Sequence, residues 1–264
     1  MSAQFTRTPL IAGNWKMNFD HLQAIAFVQK LAWGLKDAKH DFADAEVAVF
    51  PPFTDLRSVQ TLLSADKLAL SLGAQDVSPQ AAGAFTGDIS AAMLTKLDVQ
   101  YVIIGHSERR HGHGESDEVV AAKTAATAQA GMVPVICVGE TAEDLETHGA
   151  AAVPVAQLRA ALAGVPAGAP FVVAYEPVWA IGSGQAATPE QAQAVAHSLR
   201  ATITEVAGEE AASATRVLYG GSVTSENIAA FMRQADVDGA LVGGASLKVD
   251  EFQRIIRFRQ HVGA

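Results

Sequence analysis

Eight short apolar runs recur along the chain with helix-forming stretches between them, and that alternation leaves few architectures open. The runs are Leu10 to Ala12, Val47 to Phe50, Leu68 to Ala74, Tyr101 to Ile104, Val133 to Val138, Phe171 to Tyr175, Arg216 to Tyr219 and Ala240 to Val242. Their apolar residues are continuous rather than alternating, which implies strands buried on both faces, as in a parallel sheet wrapped by helices. The connections carry helix signals. Ser116-Asp-Glu opens Val119 to Ala128 with Gly131 closing it, and Thr188-Pro189-Glu190 opens Ala192 to Ile203. An α/β chain with this pattern closes into a (β/α)8 barrel, eight parallel strands surrounded by helices, more naturally than it opens flat. A doubly wound sheet is the competing architecture, but no Gly-x-Gly-x-x-Gly follows the first run. At 264 residues, without a Pro/Ser-rich linker or a break in composition, the chain fits one barrel domain, residues 1–264.

Hydrophobic residues make up 49% and charged residues 18%, which fits a globular protein with a large core. The apolar runs have strand length rather than membrane length, and Met-Ser-Ala-Gln-Phe-Thr-Arg lacks the basic and apolar regions of a signal peptide, so a cytoplasmic location is expected. A net charge of −9 argues against nucleic acid or an anionic membrane as partner. Converging backbone N–H groups and one lysine can still seat a small anion. The single cysteine, Cys137, excludes an internal disulfide and reads as a small core residue.

In such a barrel the chemistry sits on the loops after the strands, so the residues following each apolar run are informative. They include Asn14-Trp15-Lys16, Gly105-His106-Ser107-Glu108-Arg109, Glu176-Pro177, Gly220-Gly221-Ser222 and Gly243-Gly244. A carboxylate, an imidazole and a cation on one rim are the set needed to move a proton off carbon: base, electrophile and charge stabiliser. Lys16 is the only cation this reading puts in the pocket. Pro177 stops the sixth strand directly after Glu176. The apolar Val178 to Ile181, between Pro177 and the glycines 182 and 184, reads either as a lid or as a helix-leading loop with Trp179 in the core and Glu176 solvated; on this segment alone both stay open. The two glycine pairs follow strands 7 and 8, where this fold seats phosphate, and that position favours an anion cradle over tight turns of positive φ. His111-Gly-His113-Gly-Glu115 has metal-ligand spacing but sits in a polar connection and reads as surface loop; neither metal nor cofactor is expected. Glu140, Arg109 and Arg110 read as a structural ion pair on the rim.

Asn14-Trp-Lys16, Gly105-His-Ser-Glu-Arg109, Ala174-Tyr-Glu-Pro-Val-Trp-Ala-Ile-Gly-Ser-Gly184, Tyr219-Gly-Gly-Ser-Val223 and Leu241-Val-Gly-Gly-Ala-Ser246 follow one another along essentially the whole chain. Together they resemble the triosephosphate isomerase family. The resemblance implies a TIM barrel that interconverts dihydroxyacetone phosphate and D-glyceraldehyde 3-phosphate, in glycolysis and gluconeogenesis, through an enediol(ate) and without a cofactor. It implies Glu176 as the base, Lys16 as the charge on substrate and enediolate, and Asn14 as its helper. His106 becomes a neutral electrophile at the start of a helix, a tuning for which this family is itself the standing illustration. A Gly182 or Ser183 N–H from the lid, with Ser222, Gly243 and Gly244, would hold the phosphate; the family also illustrates such gating. Gly73-Ala-Gln-Asp76-Val-Ser-Pro79 and Gly83-Ala-Phe-Thr-Gly87 resemble the family's long third loop, which enters a second subunit, so a homodimer through Gln75 to Ser90 is implied. Ser183 and Gln185 depart from the family's usual threonine and lysine, Asp76 from a frequent asparagine, and His111 to His113 fill their loop unusually; these bear on the lid and the interface rather than the reaction. Two other readings compete. Against another phosphate-binding barrel, such as a sugar-phosphate epimerase or an indole-glycerol-phosphate-type lyase, stand Lys16, His106 and Glu176 on strands 1, 4 and 6. Against a non-catalytic binding barrel stands the completeness of that set.

Overall fold

A computed structural model describes residues 7–180 and 186–260. Its strands are β1 (Leu10–Asn14), β2 (Glu46–Phe50), β3 (Ser71–Ala74), β4 (Tyr101–Ile104), β5 (Val133–Val138), β6 (Val172–Tyr175), β7 (Arg216–Tyr219) and β8 (Gly239–Val242). They close a barrel in chain order, all parallel, with Leu10 opposite Gly239 and Gly13 opposite Val242 across the closing seam. The continuous apolar text is explained by burial on both faces. Ala12, Phe50, Ile103, Val135, Cys137 and Leu218 fill the barrel interior, while Ile11, Val49, Val102, Ile136, Val173 and Val242 pack outward on the helices. Cys137 is the core residue its neighbours suggested: burial first, and the charge of Glu176 second, push its thiol well up.

The starts of β2, β6 and β8 differ from the apolar runs by one residue each, and two other edges differ by more. β1 runs two residues past Ala12 because Gly13 and Asn14 pair with Val49 and Phe50, so Asn14 belongs to the strand. β3 starts at Ser71 rather than Leu68, because Lys67 takes a left-handed conformation that caps the preceding helix and Leu68 N still donates to Leu63 O. Ser116 caps the helix Asp117–Gln129, and Thr188 forms a capping box on Pro189–Ala214. That second helix continues past Ile203 through a kink at Gly208, whose φ is 90°.

The N-terminal end of the barrel is closed by charge. Arg216 reaches Glu46 at 2.6 Å and the Tyr101 hydroxyl at 2.7 Å, while Tyr101 and Ser71 each donate to Glu46 at 2.8 Å. The opposite rim carries every strand-end residue singled out above. Between Gln75 and Ser90 the chain leaves the barrel, fastened at its neck by Ser78 N to Ile89 O at 2.8 Å and Ser78 Oγ to Asp88 at 2.6 Å. Residues 80–88 are all exposed. No helix among the described residues is long and apolar enough to cross a membrane.

Candidate active site

Glu176 follows the last residue of β6, its N–H bonded to Val138 O at 2.8 Å. It is only 2% exposed, which removes the reading of a solvated surface charge. Both carboxylate oxygens are engaged: Oε1 lies 2.9 Å from His106 Nε2, and Oε2 accepts from Ser107 N at 2.9 Å. His106 Nδ1 accepts from Glu108 N at 3.2 Å, which assigns the ring proton to Nε2, pointing at Glu176. Burial alone would push the Glu176 carboxyl up, but His106, the Ser107 N–H and Lys16 together hold it below its ordinary value. Burial alone would lower His106, and the adjacent Glu176 charge outweighs that to raise it. Gly220 leaves the room for Glu176, since a Cβ there would come within 2.9 Å of its Cγ.

Lys16 is held in a conformation that L residues rarely adopt, with φ at 53°. Its backbone is fixed from both sides: Asn14 Oδ1 accepts from its N–H at 3.0 Å, and Gln75 Nε2 donates to its carbonyl and to Phe50 O, each at 2.8 Å. The ammonium pairs with Glu108 Oε1 at 2.7 Å. Asn14, Lys16, His106 and Glu176 border one cavity of about 790 Å³ with Ser222, Gly243 and Gly244. None of the glycines 220, 221, 243 and 244 has φ in the left-handed region, so turn geometry does not explain them. At Gly244 a Cβ would meet nothing within 4 Å. Gly182, together with Ile181 and 183–185 of the expected lid, lies outside the described residues.

Several expectations change here. Glu140 does not pair with the arginines: fully buried, it accepts from the Tyr175 hydroxyl at 2.9 Å and from Trp179 Nε1 at 2.7 Å, tying the turn Val178–Ala180 to the end of β5. Burial pushes its carboxyl up despite those donors. Arg110 instead bonds Asp117 at 2.6 Å and Gly105 O at 3.0 Å. Arg109, half-buried, joins the buried Asp76 and Glu115, which also share the buried Lys123, so these four make a charge-balanced cluster. His111 and His113 are exposed on the helix Ser107–His113, whereas Glu115 is buried with one oxygen on both Arg109 and Lys123. Lys16 is also not the only cation. Lys248 lines the same cavity and makes no ion pair among the described residues. It and Glu251 lie one to two turns past Gly243-Gly244, and that offset from a glycine pair was the only signal in the sequence.

The triosephosphate isomerase family model matches residues 9–259. Similar proteins include the triosephosphate isomerase of Leifsonia xyli subsp. xyli, 70% identical over 97% of this chain and 99% of that protein. Those of Corynebacterium diphtheriae, 55% identical over 94% of this chain and 96% of that one, and Streptomyces avermitilis, 52% identical over 96% and 98%, are also similar. With its closed barrel, its carboxylate and imidazole in contact and its glycine-rich rim, the chain belongs to the triosephosphate isomerase family.

Proposed function

We propose that this protein interconverts dihydroxyacetone phosphate and D-glyceraldehyde 3-phosphate through an enediol(ate). The observation that carries the reading is the 2.9 Å contact between Glu176 and His106 on the wall of a cavity that Lys16, Ser222, Gly243 and Gly244 also border. Glu176 leaves His106 and Ser107, takes the proton from one carbon as a carboxylate and returns it to the next. His106 donates its Nε2–H to the carbonyl oxygen that becomes an enediol hydroxyl and takes the proton of the neighbouring hydroxyl in return, so the two oxygens exchange roles, and Lys16 offsets the developing negative charge. Backbone N–H groups of Ser222, Gly243 and Gly244 seat the phosphate, with Gly182 contributing from a lid that excludes water. None of these steps uses a cofactor. A coupled assay of D-glyceraldehyde 3-phosphate formation from dihydroxyacetone phosphate tests the reading; no rate above background from folded protein would sink it.

The active form in this reading is a cytoplasmic homodimer of single-barrel subunits. Phe85 is 46% exposed at the tip of the loop Gln75 to Ser90. A hollow of about 280 Å³ opens beside Lys16, bordered by Met17, Phe53 and Gln75. Met17 is 95% exposed there, an apolar side chain that a second subunit's loop would cover.

A further inference from the structure

We propose that Glu251 is a positioning residue that clamps the two halves of the phosphate cradle together, an inference that rests on the reading of this cavity as a triose phosphate site. Its carboxylate spans from the helix Val249–Ile256, after β8, to the loop after β7. Oε1 accepts from Ser225 N at 2.6 Å and Oε2 from Ser225 Oγ at 2.9 Å. Each end of this bridge is part of a fixed unit. On the β7 side, Asn227 accepts from Thr224 N at 2.9 Å and donates to Ser222 O at 3.0 Å, so Ser222 moves with Ser225. On the β8 side, Ser246 N and Oγ both donate to Gly243 O, at 2.8 and 2.7 Å. The Glu251 helix is in turn packed on β1, where a Cβ on Gly13 would come within 2.9 Å of Phe252.

Near the cradle the barrel gives these loops little mutual support, since the tie of Asp238 N to Val217 O at 2.7 Å lies at the other end of β8. β7 and β8 are in register through one residue pair, Tyr219 with Ala240, whereas β6 and β7 share four. A short ladder lets the loops beyond it splay, and a cradle whose N–H groups come from both loops loses anion affinity when they do. A carboxylate on the wall of an anion site is unfavourable unless its lone pairs are used. Here Ser225 uses both oxygens.

The test compares Glu251→Ala, Glu251→Gln and Ser225→Ala with the parent. It measures KM and kcat for D-glyceraldehyde 3-phosphate, the Ki of 2-phosphoglycolate, kcat/KM for unphosphorylated glyceraldehyde, and the Kd of inorganic phosphate by calorimetry. Glu251→Ala is expected to raise KM, Ki and Kd on the order of tenfold, the scale of a hydrogen-bonded charge lost from a partly buried site. It should lower the kcat/KM preference for the phosphorylated substrate by a similar factor. Glu251→Gln keeps an acceptor for Ser225 N and should recover most of this loss. Ser225→Ala removes only the hydroxyl arm, should fall between, and carries the test if Glu251→Ala does not fold. Constants within twofold of the parent overturn the clamp, as does an equal loss on both substrates, the outcome of a merely structural role. A parent that does not isomerise overturns the proposed function instead, and the phosphate Kd of parent against variants still decides the clamp.

Discussion

Glu176 is buried with both oxygens occupied, so the position of its carboxylate is set by the length of one side chain and by its contacts with His106 and Ser107. Glu176→Asp keeps the charge but retracts it by about 1 Å, and a misplacement of that size costs on the order of 10²-fold. Turnover should fall by that factor or more with KM little changed; a variant within a few-fold of the parent would remove Glu176 as the base. Lys16 tests a different quantity, because its ammonium is the one charge beside Gly243 that also faces Glu108. Lys16→Met leaves an anionic substrate opposite Glu108 and Glu176, so binding and turnover should both collapse while circular dichroism is unchanged. Parent-like binding of 2-phosphoglycolate by Lys16→Met would transfer the counter-charge role to Lys248. The places of these residues on the rim were legible in the sequence because each lies within two residues of a strand end. The partners that tune them were not: nothing local tells that Glu108 would pair with Lys16, or that Ser107 would offer its N–H to a residue 69 positions away.

The strands show how far element edges can be read. β4, β5 and β7 begin and end where their apolar text does, whereas β3 is shortened by a left-handed lysine cap that no propensity favours. Glu140 was misassigned for a related reason. Its proximity in sequence to the rim suggested the rim arginines, but the barrel's curvature brings Tyr175 and Trp179 to it instead. At the floor, burial alone would push the Glu46 carboxyl up, yet Arg216 with the Tyr101 and Ser71 hydroxyls pulls it below its ordinary value. A carboxyl lowered in the folded state adds stability above its unfolded pKa of about 4.3, and that stability is lost as pH falls through the folded value. Glu46→Gln should therefore lower Tm at pH 7, by roughly 3–6 °C for about 1–2 kcal/mol after discounting for its partial exposure. Below about pH 4.3 the two Tm curves should converge. Parallel curves down to pH 3 would show that Glu46 contributes no acid-labile stability.

At the scale of the whole molecule, the loop Gln75 to Ser90 links the outer surface to the catalytic rim. Its first residue holds the Lys16 carbonyl and its second, Asp76, joins Arg109 just beyond His106, so the loop's stem and the site share one set of contacts. Its far end offers Phe85 to water, and the hollow beside Lys16 is flanked by the exposed Met17 and by Phe53. A projecting apolar tip and an apolar-edged recess can serve a two-fold interface, in which burying both offsets the exposure of each. In the dimer proposed above, docking would stiffen the stem and with it the strained backbone of Lys16. Deleting Ala82 to Thr86 and bridging with glycine leaves Ser78, Gln75 and Asp76 in place, so the barrel should fold. Sedimentation is expected to give a monomer, and the coupled assay a turnover lower by two orders of magnitude or more, the scale of a catalytic group displaced by about 1 Å. A monomeric deletion variant with parent-like kcat at assay concentration would break the link between dimerisation and the position of Lys16. A deletion variant that still sediments as a dimer would place the interface elsewhere on the surface.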